Sequence, residues 1–520
     1  MPPIKIPARK GVGMSPKKFT IDSIHQYIWP SSNMQRHFLH FTFTFSFMKT
    51  RLFFFLAFLS FSLTAFSQEF SRSVQPYVSE TAQKVAITNV KLIDGTGAPA
   101  KLNQTVIFEN GVITQIGSTA SLTYPSDYKS IDGTGKTLIP GLVMLHEHIF
   151  YPKPFDGVFS VAQMTFTFPR LYLAGGVTTI RTAGSIEPQT DLNIRKWIEE
   201  GKMLGPKMDL TGPFIERAGT PVPEVGVIEN PQDGIEMVEY WGKRGINSFK
   251  VYQNITKEDL AAVVKAAHAQ GKKVTGHICS VTYREAAEIG IDNIEHGFFQ
   301  SSDFVGDKVE NFCPAFKRGR ALAELSEDSP EMEDLMEYLI EKNVAVTSTL
   351  PVFEPYTDRE IVLGGGLEAM SPEIKASLEQ NHQRRQGRDE ASLASFKKQM
   401  AWEKKFYEMG GTLLAGTDPT GAGRTIAGYG NMRQVELLIE AGFSVTEAIN
   451  ISSLNGATYL ERADKVGSIE VGKQADLVLI DGDLESDISN IRNIETVFKD
   501  GIGFDSKKIF ESMKGKVGMH

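Results

Sequence analysis

Between about residues 138 and 460 the chain repeats one theme eight times, a short apolar run followed by a helical pattern. The apolar runs are the segment entering His146, then Val177–Arg181, Lys207–Thr211, Ser248–Tyr252, Lys273–His277, Asn293–His296, Val344–Leu350 and Thr412–Thr417. Most of the intervals between them, such as "TKEDLAAVVKAAHAQG" and "EMEDLMEYLIEKN", carry the apolar spacing of amphipathic helices. Eight strand–helix units in succession predict an α/β protein built on a (β/α)8 TIM-type barrel over 138–460. Segments near 301–330 and 355–390 exceed what a connecting loop needs and read as insertions over a barrel mouth.

The flanks are written differently. Stretches such as "VAITNVKLIDGTG" and "QTVIFENGVITQIG" are rich in Val and Ile and are broken by Asp-Gly and Asn-Gly, which favour tight hairpins. The same style returns in "GSIEVGKQADLVLIDGD" and "NIETVFKDG". We expect 68–137 and 461–510 to form one small β-sandwich domain from both chain ends.

Residues 48–67 have the three parts of a secretory signal peptide: Lys49 and Arg51, an apolar stretch Leu52–Leu63, then small residues Ala65 and Ser67. The apolar stretch is shorter than the ~20 residues that span a bilayer. The protein is therefore expected to be exported to a periplasm or the outside, with no stable membrane span after cleavage. Residues 1–47 are expected to be a spurious or disordered extension ahead of a start at Met48. Net charge is −8 with no long basic run, which argues against nucleic acid as a partner. Two cysteines, Cys279 and Cys313, are no disulfide framework for a chain of 520 residues.

Chemistry gathers at the ends of the predicted strands, where a barrel carries its active site. His146 and His148 are two apart, so on a strand they face one way while Glu147 faces another. Lys250 lies near the end of the fourth strand, His277 ends the fifth, His296 the sixth and Asp418 follows the eighth. Any one of these histidines alone reads as an ordinary buried imidazole bonded to the backbone. Their convergence on one rim reads as a metal site, since imidazole and carboxylate are good ligands for zinc. Tyr252 shares a face with Lys250 and can donate to substrate or pack at the rim. Arg181 can receive a substrate carboxylate or form a structural ion pair. Cys279 reads as a small buried apolar residue or a further ligand.

The stretches "LIPGLVMLHEH", "GGVTTIRTAG", "FKVY", "GHICS", "IEHG", "LLAGTDP" and "GSIEVGKQADLVLID" together resemble the amidohydrolase superfamily of metal-dependent hydrolases, its imidazolonepropionase-like and prolidase-like branch most of all. One departure is Met144, where the family often carries Asp two positions before the first histidine. The resemblance implies two divalent cations, zinc by preference. His146, His148 and Asp418 would hold one, His277 and His296 the other, and Lys250, carboxylated on its side-chain nitrogen, would bridge them. It also implies a metal-bridging hydroxide that attacks an amide carbonyl, with Asp418 as the base and then the acid. The expected activity is hydrolysis of an amide or peptide-like C–N bond in a small molecule or dipeptide, a Xaa-Pro-type dipeptidase being one form. A cyclic amide or lactone hydrolase with the same metals is a second form. A barrel that binds metal or ligand without turnover is the rival of another class. Self-association stays open.

Overall fold

A computed structural model describes residues 70–155, 158–220, 222, 224–357, 359, 364–383, 390–420 and 424–518. The segments 1–47 and 48–67 lie outside them. Strand β1 spans Leu142–Glu147 and β2 spans Val177–Thr182. Strand β3 is interrupted at Leu210 into Lys207–Asp209 and Thr211–Ile215. Then come β4 (Ser248–Val251), β5 (Lys273–Gly276), β6 (Asn293–Glu295), β7 (Ala345–Ser348) and β8 (Leu413–Ala415). The eight apolar runs of the sequence are thus the eight strands. All neighbouring pairs are parallel. The break in β3 divides them into a three-stranded sheet, ending on Lys207–Asp209, and a six-stranded sheet that starts at Thr211–Ile215. Past the end of β8, the amides of Thr417 and Asp418 donate to the carbonyl of His146 at 3.1 and 2.9 Å. This brings the eighth strand's end against the first.

Every residue of β1, β2, β4, β6, β7 and β8 is buried, as expected of parallel strands covered on both faces. The helix Lys257–His268 shows how the covering layer is specified. Thr256 caps it and Asp259 returns the bond, while Leu260, Val263, Val264 and Ala267 form the buried stripe. Capping boxes also start Tyr283–Ile289 and Val445–Ile451. Truncating a fully buried residue such as Leu260 to Ala should cost roughly 2–5 kcal/mol.

The β-rich flanks do meet. Leu477–Asp481, from the C-terminal part, pairs antiparallel with Lys136–Pro140, which leads through Gly141 into β1. The expectation of a sandwich needs restating, because the flanking strands join in one hydrogen-bonded sheet of nine. That sheet keeps a core of its own, with Val85, Ile87, Phe108, Leu479 and Phe498 packed together. The Asn-Gly hairpin signal is used as read: Asn110 and Gly111 both take positive φ, at 49° and 79°. A side chain at Gly111 would sit 2.5 Å from the Asp500 carbonyl.

Two features were not read from the sequence. A hairpin of Phe150–Phe155 and Val158–Gln163 follows β1 directly. Cys279 and Cys313 form a disulfide. This corrects the reading of Cys279 as a free, small apolar side chain or a ligand. The chain from 301 to 313 folds back to the end of β5, a return that a separation of 34 residues does not announce. The remainder of 301–330 carries the helix Ala315–Glu324, and the described part of 355–390 is largely helical. Among the described residues no helix is long and apolar enough to cross a membrane.

Candidate metal centre

His146 is the fifth residue of β1, and His148 lies one step past the strand. Three of the four imidazoles are oriented by bonds at Nδ1. His146 Nδ1 is 2.7 Å from Glu295 Oε2, His148 Nδ1 is 3.2 Å from the Gly184 carbonyl, and His296 Nδ1 is 2.8 Å from Thr349 Oγ1. Fixing Nδ1 in this way leaves Nε2 as the free nitrogen. His148 Nε2 is 3.2 Å and His146 Nε2 3.9 Å from Asp418 Oδ1. One ligand atom from each of His146, His148 and Asp418 lies within 4.8 Å of the others, the spacing a single cation requires.

His277 and His296 extend the cluster. Ring centroids of His296 lie 4.5 Å from His146 and 4.4 Å from His277. His277 Nε2 is buried without a hydrogen-bond partner among the described residues. A buried imidazole nitrogen with no described partner, beside another imidazole, suits a cation ligand, because leaving such a group unsatisfied is otherwise costly. Backbone geometry marks the same place. His296 and Asp418 both hold left-handed backbone, φ 72° and 48°, which non-glycine residues adopt where the surroundings force it.

The electrostatics favour ligation. Burial pushes the His146 imidazole down to about 4, with Glu295 opposing and Lys250 reinforcing. Burial, with Lys250 next, holds His277 well below its usual range, and burial, with His277 next, does the same to His296. All three are therefore neutral near pH 7, the form that binds metal. Burial opposes ionisation of Asp418, but the His148 bond and the neighbouring imidazoles outweigh it and keep the carboxyl well below the carboxylate range.

Lys250, in β4, is almost wholly buried, with Nζ 3.8 Å from Glu295 Oε1. Burial brings its ammonium down to about 8 against the pull of Glu295. Tyr252 lies just past β4 and lines the cavity above the histidines, its ring 4.7 Å from that of His277. Burial, followed by the charge of Asp418, pushes the phenol well up, so it stays a donor.

Arg181 does not reach the cavity. It is fully buried, donating from Nε to the Leu145 carbonyl at 2.7 Å and from Nη2 to Glu295 Oε1 at 2.5 Å. The role of carboxylate receiver is therefore corrected to the structural ion pair, since the guanidinium is buried on Glu295 and does not line the cavity. Glu295 itself was missed. Its carboxylate joins His146, Arg181 and the Thr275 hydroxyl, and lies beside Lys250. The signal was present in "DNIEHG", an acid inside a buried strand, which must have partners. Glu147 faces away from the histidines as expected. It accepts from Thr417 Oγ1 at 2.5 Å and Asn431 Nδ2 at 2.9 Å.

The histidines, Lys250 and Asp418 floor a cleft that opens to solvent, about 510 Å³ when the solvent at its mouth is counted. Its walls are Phe150, Val161, Ile186, Phe214, Val222, Val225 and Tyr252. Two of these come from the hairpin that follows β1.

A fold of parallel strands with imidazoles and carboxylate collected at their C-terminal ends defines a metal-site α/β protein of the hydrolase type. The chain belongs to the amidohydrolase family, whose model matches residues 137–503. It is 26% identical to the enamidase of Eubacterium barkeri over 224 residues, 41% of this chain and 54% of that protein. It is 22% identical to an imidazolonepropionase of Geobacillus sp. (strain WCH70) over 402 residues, 73% of this chain and 84% of that protein. The chain thus spans only about half the length of the enamidase. A solved Xaa-Pro dipeptidase with methionine bound in its active site superposes with a TM-score of 0.60 at 22% identity, covering 81% of this chain and all of that one. The family is one of hydrolases that act on C–N bonds, typically with divalent metals.

Proposed function

We propose that this chain is an exported, metal-dependent amidohydrolase that cleaves an amide C–N bond of a small molecule or dipeptide at the mouth of a closed (β/α)8 barrel. The observation that carries the reading is the convergence of His146, His148 and Asp418 within one cation's reach, with the unpaired His277 and with His296 alongside. His146, His148 and Asp418 would hold one cation and His277 and His296 a second, with Lys250 as a carbamate ligand to both. The low-lying ammonium of Lys250 favours that modification, because only the neutral amine can attack carbon dioxide. Divalent cations in such a site, zinc by preference, acidify water and polarise a carbonyl.

The chain's own groups supply the rest. Asp418 accepts the water's proton at a carboxylate oxygen and returns it to the leaving nitrogen. The protonated Tyr252 hydroxyl donates to the oxygen on which charge develops. Glu295 holds His146 in one tautomer, and the apolar walls keep bulk water from the reacting carbon. The Cys279–Cys313 disulfide supports the export reading, since such bonds persist in oxidising compartments.

The test is turnover by the purified protein, stripped and then reloaded with zinc, against a panel of dipeptides, N-acyl amides, cyclic amides and lactones. We expect hydrolysis that follows metal content. No turnover of any member with both sites loaded would favour a binding barrel instead.

A further inference from the structure

The walls of the cavity say more about the substrate than its floor. Phe150, Val161, Phe214 and Val225 pack as one apolar cluster, with Ile186 and Tyr252 against it. The cluster begins beside the candidate ligands: the Phe150 ring lies 4.5 Å from that of His148, and Phe214 lies 5.3 Å from Tyr252. Among the described residues that line the cavity, Lys250 is the one lysine or arginine and Asp418 the one carboxylate. Lys250 lies at the floor beside Glu295. Arg181 is buried on the same carboxylate, and Arg318, whose charge reaches His277, does not line the cavity.

A substrate group that rests on these walls leaves water. For an apolar group this is favourable by roughly 25 cal/mol per Å². For a free carboxylate it costs several kcal/mol unless a cation compensates, and the described walls offer none. We propose that the site selects an uncharged amide, with an aromatic or branched aliphatic group next to the scissile bond and no free carboxylate on the part that meets the walls. This rests on the amide-hydrolase reading above and narrows it, disfavouring simple dipeptides.

The experiment compares release of benzoate from N-benzoyl-phenylalaninamide and from N-benzoyl-phenylalanine, which share the benzamide bond and differ at the terminus by a neutral carboxamide against a carboxylate; cleavage of the terminal carboxamide is counted separately, as ammonia. The zinc-loaded full protein is assayed for kcat/KM at pH 7, and binding of both compounds is measured separately by calorimetry. We expect the neutral compound to be favoured by about tenfold or more in both, the scale of one uncompensated buried charge after partial solvation. Val225→Arg, which places a cation on the wall, should narrow the gap by improving the carboxylate compound. Equal or better turnover or binding of the carboxylate compound by the unmodified protein would overturn the inference and leave amide hydrolysis standing. If neither compound, nor any other amide, turns over, the hydrolase reading falls, and the calorimetric preference alone then decides the chemistry of the walls.

Discussion

The Nδ1 atom of His146 lies 2.7 Å from Glu295 Oε2, and the other oxygen of that carboxylate accepts from Arg181 at 2.5 Å. One buried acid therefore orients a candidate ligand and is itself held by a buried guanidinium. Burial resists ionisation of Glu295, but Arg181, Lys250 and His146 overcome it and keep the group well below the usual range. Glu295→Gln should weaken zinc binding by about 10- to 100-fold, the usual effect of losing a carboxylate behind a ligating histidine. Competition with a chromophoric chelator measures this directly. Affinity equal to that of the unmodified protein would remove Glu295 from any part in orienting the site.

Asp418→Asn separates ligation from proton transfer. The amide keeps an oxygen for the cation but cannot take a proton from water. We expect zinc content to be retained while kcat falls by about 10²–10⁴-fold. Elemental analysis and steady-state kinetics on one preparation check both halves. A rate near that of the unmodified enzyme would show that the proton goes elsewhere.

His277→Ala should lower the metal content, because His277 Nε2 is buried with no partner among the described residues. Zinc counted per chain after dialysis is the readout. If the variant holds as much metal as its parent, His277 is a packed imidazole and the second cation's ligands have been misassigned.

How much of this was legible in the sequence depends on whether an interaction is local or distant. The eight strands were readable because each is a short apolar run bounded by helical spacing, a signal carried by neighbours. His146 and His148 facing one side followed from strand alternation. Arg181 was ambiguous, since its partner, Glu295, is 114 residues away and no local pattern pairs them. The same limit hid the Cys279–Cys313 bond. The hairpin Phe150–Phe155 and Val158–Gln163 was missed for another reason: in "FYPKPFDGVFSVAQ" two prolines and little alternation weaken the strand pattern, although the sequence carries an Asp-Gly pair between the two runs.

The disulfide gives a stability prediction. It closes a loop across a sequence separation of 34, and loop-closure entropy then implies about 3–4 kcal/mol of stabilisation. Replacing both cysteines with alanine, or unfolding under reducing conditions, should lower the denaturant midpoint accordingly. Cys279 is two residues past His277, so zinc retention should fall in the same variant. A midpoint unchanged by reduction would mean that the bond is not formed in the isolated protein.

Glu403, outside the ligand set though packed against the residue that follows His296, supplies a pH dependence. It is fully buried on the helix Glu390–Glu408, so close to Gly297 that a side chain at that position would meet Glu403 Oε1. Burial pushes its carboxyl up to about 8 from an ordinary 4.5, with Ser348 opposing. The sign follows from which state holds the proton. Below about 4.5 both folded and unfolded chains are protonated, and Glu403 adds no penalty. As pH rises from there to about 8 the unfolded chain ionises while the folded one stays neutral, so stability drains away across that window. Glu403→Gln removes the titration. Relative to the unmodified protein, the variant should gain roughly 2–5 kcal/mol on going from pH 4.5 to pH 8. Urea unfolding of both proteins at several pH values measures the difference, and curves that run parallel would mean that Glu403 is ionised in the fold and paired with a cation.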